Sequence, residues 1–410
     1  MNGEQWGQWT VGTVNGEQWA VNREQGTGSR LESQEYVPAG GCGVDAGGLR
    51  LAAEGTALAS PNPRVGAVVV REGKIIGRGS HRYADLDHAE VVALREAGEG
   101  ARGAALYVNL EPCSHTGRTP PCVEAVIAAG IERVVVGMSD PNPRVGGEGL
   151  RRLAAAGVKV ESDCLGREAR RLNEDFACWI RSGRPWVTLK AAVSLDGRIA
   201  AASPPGTLDA HVERKWISSQ PSRDRVQEMR HACDAVLSGI GTVLSDDPLL
   251  TDRTGHERRR PLLRVVVDSH LRLPVTAQIL KQAKRRKDLW VFHVDGTAER
   301  QTALEKAGAR VEMAAGPDGQ VDLATVLRRL GEEQVISVLL EAGARLNGAM
   351  LAAGLVDRLT LFQAPVLLGE VALPLVAGTP AWPRQPVGAL TCETVGPDVM
   401  MECVMSEVAQ

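Results

Sequence analysis

The sequence predicts an α/β protein that folds into two domains, each a sheet with helices packed on it. Three observations predict it. The chain has 410 residues, more than one hydrophobic core usually holds. Apolar residues make up 43% of it, as in folded globular proteins. Strand-like apolar runs alternate with helix-like segments along most of the chain, and this alternation is typical of layered α/β folds.

The N-terminal part of the chain lacks this alternation. The segment Asn2–Trp6, NGEQW, recurs at Asn15–Trp19, and Gly, Gln, Asn and Ser dominate around it. Such a composition supplies too little apolar surface for a core. We therefore expect residues 1–44 to be a disordered extension without functional weight. The N-terminus also lacks the basic start and apolar stretch of a signal peptide.

The first domain is expected at residues 45–183. Two strands, VGAVVV and IIGRG, are joined by a turn at Gly73. A helix in LDHAEVVALREAGEG ends at glycine, as helices often do. The strand AALYVNL follows, and then the helix PPCVEAVIAAG with prolines at its first turn. The strand ERVVVGMSD and the helix-to-strand step LRRLAAAGVKV complete the domain.

The second domain is expected at residues 184–410, after the linker RSGRPW at Arg181–Trp186. Its predicted strands are WVTLKAAVSL, DAVLSGIGTVL, LLRVVVDS, DLWVFHV, VISVLLEAG and DRLTLFQAPVLLG. Helices are predicted in QTALEKAGA and LATVLRRLGEE. Two α/β domains that meet near residue 183 account for the length of the chain.

Charge and cysteine content exclude several classes of protein. With 47 basic and 50 acidic residues the net charge is −3, which argues against non-specific binding of nucleic acid or of an anionic membrane. No run of eighteen apolar residues occurs, so no membrane-spanning segment is expected. Eight cysteines are scattered along the chain. We therefore expect a cytoplasmic protein, in which paired cysteines usually bind metal.

A metal-binding pattern lies in the first domain. His88 and Glu90 stand at the start of a predicted helix, Cys113 follows a proline, and Cys122 begins the next helix. One imidazole and two thiolates leave the fourth position of Zn²⁺ open, which is typical of a catalytic site. Glu90 is suited to move the proton of a bound water to a leaving amine. The order matches the deaminase pattern H-x-E…P-C-x-x-C, except that eight residues separate the two cysteines.

The residues between the two cysteines are polar. Ser114 to Thr119 include one imidazole, one guanidinium and three hydroxyls. Arg118 and Thr119, at a helix start, could bind a phosphate through charge, hydroxyl and free N–H groups. The loop therefore suggests a phosphorylated substrate, with a solvated turn as the alternative. The hexapeptide PNPRVG occurs at Pro61–Gly66 and Pro141–Gly146, and we interpret the second copy as a turn.

These motifs resemble the family of bifunctional deaminase–reductases of riboflavin biosynthesis. The resemblance covers residues 45–405, and its most specific parts are SPNPRVGAVVV, HAE, LEPCSHTGRTPPC, DPNPRVGGEGL, VTLKAAVSLDGRIA, KWIS, GIGTVLSDDPLLTDR and LLEAGARLNGA. It implies an N-terminal cytidine-deaminase-like three-layer sandwich and a C-terminal dihydrofolate-reductase-like domain.

The resemblance implies two reactions. The first domain should hydrolyse the exocyclic amine of a diaminopyrimidinone ribosyl phosphate and release ammonia. The second should use NADPH to reduce the ribosyl chain of the resulting aminouracil phosphate to ribityl. By motif match, His88, Cys113 and Cys122 would hold Zn²⁺ and Glu90 would carry the proton. The pyrimidine and its phosphate would be held by Asn62, His81, His115, Arg118 and Thr119.

For the second domain the residues alone indicate less. A strand ends at Glu341, and Gly343 leads into a helix-like run, which could cradle a dinucleotide phosphate or be a plain glycine turn. The resemblance assigns cofactor contacts to Val193, Trp216, Thr242, Asp246, Ser269, Gly343, Ala344, Arg345, Leu346, Asn347, Gly348 and Ala349. It assigns substrate contacts to Lys190, Arg214, Arg230, Leu250, Arg253 and Glu341, and it leaves the role of Asp196 open.

Three features depart from the family pattern. A longer segment, SPPGTLDAHVERK, precedes Trp216 and places Arg214 where the family has a serine, which puts that substrate contact in question. Ala342 replaces the first of two glycines after Glu341. Gly47 and Gly48 weaken the first helix.

Three alternatives stay open. A deaminase of nucleosides or of a flipped RNA base would share the metal motif, but such enzymes are short and basic. A zinc-stapled binding protein would need a fourth protein ligand and has no use for Glu90. An enzyme with only the deaminase half active would fit the altered reductase motifs. The sequence leaves the oligomeric state open, a homo-oligomer included.

Overall fold

The computed structural model describes residues 10–14, 17–21, 42–143, 145–201, 216–378 and 388–405. The chain divides into two units, residues 1–36 and 37–410. In the first unit, strands β1 (Thr10–Val14) and β2 (Glu17–Val21) pair antiparallel. These residues are regular strands and not the irregular chain that composition predicts. The sequence between them, Asn15-Gly16, is the dipeptide most typical of tight hairpins.

A five-stranded sheet forms the first half of the second unit. Its strands are β3 (Gly66–Arg71), β4 (Lys74–Ser80), β5 (Ala105–Leu110), β6 (Arg133–Met138) and β7 (Lys159–Ser162). The spatial order is β4-β3-β5-β6-β7. Strand β3 runs antiparallel to both neighbours, and β5, β6 and β7 are parallel. The predicted strands are confirmed, and Gly73 lies in the β3–β4 turn with a φ of 74°.

Helices cover both faces of this sheet. They are α1 (Cys42–Glu54), α2 (Ala89–Ala97), α3 (Cys122–Ala128), α4 (Glu148–Ala155), α5 (Gly166–Leu172) and α6 (Glu174–Ser182). Along β3, Val69 packs with Ala93 of α2 on one face, and Val68 packs with Leu51 of α1 on the other. Because alternate side chains of a strand point to opposite faces, both faces are apolar. The three-layer sandwich is confirmed.

The second sheet has nine strands. In chain order these are β8 (Trp186–Val193), β10 (Ala235–Gly239), β11 (Leu263–Val267), β12 (Leu289–His293), β13 (Arg310–Met313), β14 (Ser337–Leu340), β15 (Arg358–Gln363), β17 (Thr391–Val395) and β18 (Asp398–Val404). A short separate pair joins β9 (Arg198–Ala200) to β16 (Leu373–Pro374).

The spatial order of the large sheet is β13-β12-β11-β10-β14-β8-β15-β18-β17. The strands from β13 to β15 are parallel, and β18 and β17 add an antiparallel edge. The carboxyl ends of β8, β10, β11 and β14 therefore lie at one edge, where α/β sheets bind ligands. The helices of this half are α7 (Gln220–Ala232), α8 (Ile240–Asp246), α9 (Ala283–Arg286), α10 (Ala298–Lys306), α11 (Leu323–Glu332) and α12 (Ala344–Ala352).

Two predicted elements differ from the structure. DAVLSGIGTVL is not one strand, because β10 ends at Gly239 and the chain continues as α8. The buried residues of α8, Ile240 and Val243, are three positions apart, which is the period of a helix. The linker is shorter than expected, since Arg181 and Ser182 belong to α6.

Residues 37–410 form one unit, so the boundary that we expect near residue 183 falls between the two sheets of that unit. We call residues 45–183 the deaminase half and residues 184–405 the reductase half below, after the reactions that the resemblance implies. None of the helices in the described ranges is long and apolar enough to span a bilayer.

Candidate active sites

The predicted metal ligands converge in the deaminase half. The ligand atoms of His88, Cys113 and Cys122 all lie within 4.8 Å of one another. His88 Nδ1 is 3.0 Å from Cys122 Sγ and 3.5 Å from Cys113 Sγ. Bond lengths of Zn²⁺ to nitrogen and sulfur would separate tetrahedral ligand atoms by roughly 3.5 Å. The donor set therefore fits Zn²⁺ in geometry and in chemistry.

Local structure explains why these three side chains meet. His88 is the N-cap residue of α2 and Cys122 is the first residue of α3. Cys113 follows β5, and the Cys122 backbone N–H donates to its Sγ at 3.3 Å. This hydrogen bond and the one with the Cys122 thiol favour the thiolate, and the pKa of Cys113 is lowered to about 4. A thiolate is the form that binds metal.

Glu90 is buried in the first turn of α2, with 3% of its surface exposed. Burial disfavours the carboxylate and raises its pKa to about 7. A carboxyl with such a pKa can both accept and return a proton near neutral pH, which is what general acid–base catalysis requires. The structure therefore brings Glu90 beside the metal ligands in a suitable electrostatic state.

Asn62 and His81 form a fixed pair next to this centre. His81 Nδ1 lies 3.1 Å from the Asp87 carbonyl, and Asn62 Nδ2 lies 2.9 Å from His81 Nε2. Because a carbonyl only accepts, Nδ1 of His81 is the donor and Nε2 accepts from the Asn62 amide. Burial lowers the pKa of His81, which agrees with a neutral ring. The Asn62 Oδ1 atom is left as an acceptor for a substrate.

The loop between the two cysteines lies at the open side of the metal set. His115 and Arg118 are exposed, and Thr119 Oγ1 is 3.5 Å from His88 Nε2. The Arg118 guanidinium stacks on the Tyr83 ring, 4.8 Å from its centroid. All five predicted substrate residues of this half thus surround the metal ligands or their loop.

The second PNPRVG copy forms a turn, as expected, but it also lies against this loop. A depression beside the metal set is lined by Glu111, Pro112, Cys113, Ser114, His115, Asp140 and Val145. Asp140 and Val145 therefore form one wall of the site, which the turn interpretation alone does not include.

Glu111 is a residue that sequence reasoning missed. Its buried carboxylate accepts from the backbone N–H groups of Asp140, Gly147 and Gly149 at 3.0, 2.8 and 2.8 Å. A negative charge at the N-terminus of α4 is also stabilised by the helix dipole. Glu111 thus holds the wall formed by Asp140 and Val145 against the segment of Cys113. Its place directly before Pro112-Cys113 was the available signal.

In the reductase half, the structure brings Lys190, Arg230 and Glu341 together. Arg230 Nε and Nη2 donate to the two carboxylate oxygens of Glu341 at 2.6 and 3.0 Å, and Lys190 Nζ lies 3.7 Å from Glu341 Oε2. Burial lowers the pKa of Lys190. Burial alone would raise the pKa of Glu341, but the charges of Arg230 and Lys190 hold it below its usual range.

The other predicted substrate residues of this half are placed less closely. Arg230 Nη1 donates to the carbonyl of Thr251, the neighbour of Leu250. The Arg253 side chain is exposed, and Arg214 lies outside the described residues. Asp196 accepts from Ser194 Oγ and from the N–H groups of Leu368 and Gly369. These bonds give Asp196 a structural role in fixing a loop.

Predicted cofactor residues gather at the carboxyl edge of the sheet. Val193 ends β8, Ser269 follows β11, Thr242 lies in α8, and Gly343 caps the N-terminus of α12. A Cβ on Gly343 would lie 3.8 Å from Thr242 Oγ1, so the starts of α8 and α12 are adjacent. Residues Ala344, Arg345, Leu346, Asn347, Gly348 and Ala349 form the first turns of α12.

This edge fits a dinucleotide. The first turn of α12 offers N–H groups that suit a phosphate, and the buried Oδ1 of Asn347 has no hydrogen-bond partner among the described residues. Asp246 accepts from Ser245 Oγ at the end of α8. Trp216 is 55% exposed, with Arg223 stacked on its ring.

Two protein-family models match different parts of the chain. Residues 48–138 match the model of the cytidine and deoxycytidylate deaminase zinc-binding region. Residues 185–401 match the model of the RibD C-terminal domain.

Individual proteins and solved structures are similar over most of the chain. The riboflavin biosynthesis protein RibD of Escherichia coli (strain K12) is 40% identical over 375 residues, which cover 87% of this chain and 97% of that protein. The Aquifex aeolicus (strain VF5) protein of the same name is 41% identical over 78% of this chain and 86% of that protein. The structure of Acinetobacter baumannii RibD, form 1, superposes with a TM-score of 0.76 at 36% identity, covering 88% of this chain and 98% of that one. The structure of a Thermotoga maritima diaminohydroxyphosphoribosylaminopyrimidine deaminase/5-amino-6-(5-phosphoribosylamino)uracil reductase superposes with a TM-score of 0.73 at 31% identity. The match covers 88% of this chain and 97% of that one.

Proposed function

Since the chain belongs to the RibD family of bifunctional riboflavin-biosynthesis enzymes, we propose how its residues divide the two reactions. The deaminase half removes the exocyclic amine of a phosphorylated diaminopyrimidinone as ammonia, and the reductase half reduces the ribosyl chain of the product. The observation that carries the proposal is the His88, Cys113 and Cys122 set with buried Glu90 beside it.

The deamination depends on a proton moved by Glu90. Zn²⁺, when bound, supplies a water that ionises near neutral pH. A Glu90 carboxylate oxygen takes the proton as the water oxygen attacks the ring carbon that bears the amine. The same oxygen then delivers this proton to the amine nitrogen, which leaves as ammonia. A pKa of about 7 suits both transfers.

The neighbouring residues orient the substrate. Asn62 Oδ1 is free to accept from a ring or amino N–H group, because Nδ2 is engaged with His81. Arg118 and Thr119, with His115, bind the phosphate at the mouth of the site. A ligand held at both ends keeps its amine-bearing carbon in line with the attacking water.

The reductase half acts by holding the cofactor and the substrate in position for hydride transfer. NADPH, when bound at the carboxyl edge of the sheet, supplies the hydride. Lys190, Arg230 and Glu341 form a buried charged cluster at that edge, and Arg230, Leu250 and Arg253 hold the phosphorylated substrate. Lys190 donates a hydrogen bond to the sugar oxygen that gains negative charge during reduction.

One experiment tests both halves. The diaminopyrimidinone ribosyl phosphate is supplied with NADPH, and ammonia and the nicotinamide absorbance are followed together. We expect ammonia first and then stoichiometric loss of NADPH. Ammonia without NADPH consumption would show that the deaminase alone is active, as the replacement of the family glycine by Ala342 would allow. No ammonia would overturn the proposal.

We propose a deaminase domain at residues 45–183 and a reductase domain at residues 184–410, which agrees with the two sheets. The net charge of −3 supports an enzyme that acts on a small molecule without nucleic acid or membrane as partner. Scattered cysteines support a reducing cytoplasm.

A further inference from the structure

Two arginines from different halves of the chain stack on one aromatic ring. Tyr83 follows β4, two residues after His81. The guanidinium carbon of Arg118 lies 4.8 Å from the centroid of the Tyr83 ring, and that of Arg259 lies 4.3 Å from it. Arg118 belongs to the loop between the metal-binding cysteines. Arg259 belongs to the reductase half, in residues 252–260, which we call the seam loop.

The seam loop is fixed against the segment that carries Asn62. Its Arg259 N–H donates to the Ala57 carbonyl at 3.0 Å, and the Tyr83 N–H donates to the adjacent Leu58 carbonyl at 3.1 Å. Arg260 Nη2 lies 3.2 Å from Asp234, which also accepts from Ser60 Oγ at 2.8 Å. These contacts fix the position of the seam loop relative to the deaminase site.

The seam loop is also fixed to the C-terminal end of α7 by hydrogen bonds. Arg258 donates to the carbonyls of His231 and Cys233 at 2.7 Å, at the C-terminal end of α7, and pairs with Asp252 at 3.0 Å. A cation at this end of a helix is favoured by the helix dipole. Arg259 is therefore presented to Tyr83 by a rigid element.

The charges of this arrangement are unbalanced. Among the described residues, neither Arg118 nor Arg259 forms an ion pair with a carboxylate. Burial lowers the pKa of Arg259, and the charge of Arg260 adds to the effect. Arg260 is paired with Asp234, but Arg118 and Arg259 have no carboxylate partner of their own among the described residues, and two such cations on one ring favour the binding of an anion. A phosphate that carries two negative charges meets this need.

We propose that Tyr83 and Arg259 are positioning residues that hold Arg118 for the substrate phosphate, so that the seam loop of the reductase half completes the deaminase site. The ring restricts Arg118, whose side chain is otherwise exposed, and so reduces the entropy lost when the phosphate binds. Arg259 fixes the ring and adds positive charge. The inference rests on the proposed role of Arg118 in binding the phosphate.

The test uses the full-length zinc-loaded enzyme and four variants at these two positions. Arg259→Ala and Tyr83→Leu should raise the KM for deamination by roughly threefold to thirtyfold, the range that corresponds to one cation–π contact. Their kcat should stay within about twofold, since no group that touches the reacting atoms changes. Arg259→Lys and Tyr83→Phe keep the cation and the ring, and they should restore most of the affinity.

Two further measurements make the result specific. The inhibition constant of inorganic phosphate against deamination should rise by the same factor as KM, because phosphate probes the anion site alone. The double variant Tyr83→Leu, Arg259→Ala should raise KM by less than the product of the two single increases, because contacts that act as a unit are not additive. Arg286→Ala, which removes an exposed arginine elsewhere in the reductase half, should change neither constant.

Three outcomes would overturn the inference: an unchanged KM in Arg259→Ala, an unchanged inhibition by phosphate, or additive effects in the double variant. Arg118→Ala separates this from failure of the proposed function. If Arg118→Ala raises KM and Arg259→Ala does not, only the inference fails. If Arg118→Ala leaves KM and phosphate inhibition unchanged, the phosphate-binding role of the loop fails as well.

Discussion

At the scale of single residues, the burial of Glu90 determines what the deaminase site can do. Replacement of Glu90 by Gln keeps the shape of the side chain but removes its ability to take a proton. We expect ammonia release to fall by about a hundredfold or more, with zinc still bound at one ion per chain. Steady-state kinetics and metal analysis of the same sample measure both.

The exposed Glu96 lies on the same helix and provides the control for Glu90. Glu96→Gln should deaminate at the normal rate. Near-normal ammonia release by Glu90→Gln would show that another group carries the proton.

The buried ion cluster of the reductase half predicts a pH dependence. Burial places the pKa of Lys190 below the 10.5 of a free lysine, and the Glu341 charge raises it in part. As pH rises, Lys190 therefore loses its proton earlier than a free lysine would, and kcat for NADPH oxidation should fall on the alkaline side. Glu341→Gln removes the raising charge, so this decline should move to lower pH.

The pH profile of kcat at saturating substrate measures this shift. Ammonia release by Glu341→Gln provides the internal control and should keep its profile, because Glu341 lies in the other sheet. An alkaline limb that stayed in place or moved to higher pH would show that Lys190 is not the titrating group.

The sequence alone predicts the residues whose chemical role follows from a short motif. His88, Glu90, Cys113 and Cys122 fall in two stretches of chain, and the structure brings them together as expected. Tyr83 and Arg259 could not be predicted, since they are far apart in the chain and neither belongs to a motif. Glu111 acts through backbone N–H groups about thirty residues away, and a sequence pattern does not show such contacts.

At the scale of elements, a close approach between α2 and β4 places the catalytic helix. A Cβ on Gly79 would lie 2.0 Å from the Ala89 carbonyl oxygen, in the residue between His88 and Glu90. Gly79→Ala should therefore push α2 outwards, destabilise the protein by about 1–3 kcal/mol and weaken zinc binding. Urea unfolding and competitive zinc titration measure the two effects.

Gly47→Ala offers the matched control for this substitution. Gly47 also lies in a helix packed on the same sheet, but its nearest neighbour is Val68 Cγ1 at 3.9 Å. Since alanine favours helix, the change should be neutral or stabilise by up to about 1 kcal/mol. Equal losses in the two variants would mean that the close approach at Gly79 does not position α2.

Most helices and strands could be predicted from the spacing of apolar residues, because each of their faces is consistently buried or consistently exposed. β3, for example, is a run of buried apolar residues bounded by a glycine turn. The prediction of one strand in DAVLSGIGTVL was wrong because its apolar residues are compatible with either a strand or a helix. Only packing against neighbouring strands decides which of the two forms. Strands β1 and β2 were not expected, because they lie in a segment of low apolar content.

At the scale of the whole molecule, the two sheets predict separable chemistry. Removal of zinc with a chelator should abolish ammonia release, because His88 and both thiolates lose their shared partner. NADPH oxidation with the deaminated product should persist, since Lys190, Arg230 and Glu341 all lie in the reductase half. Parallel assays of both reactions before and after chelation measure the difference.

Returning zinc should restore ammonia release to the chelated enzyme. A joint loss of both activities would contradict this separation and would mean that metal binding supports the fold of the whole unit.

The seam loop has a consequence for protein engineering. A chimera that joins the first half of this chain to the second half of a relative would replace Arg259 and Arg260 with whatever that relative carries. The Ala57 carbonyl, the Ser60 hydroxyl and the ring of Tyr83 would then face an unmatched surface. Such a chimera should keep the KM of its deamination reaction only if residues 252–260 are transplanted together with the first half. The functional border between the halves therefore does not coincide with the point where the chain passes from one to the other.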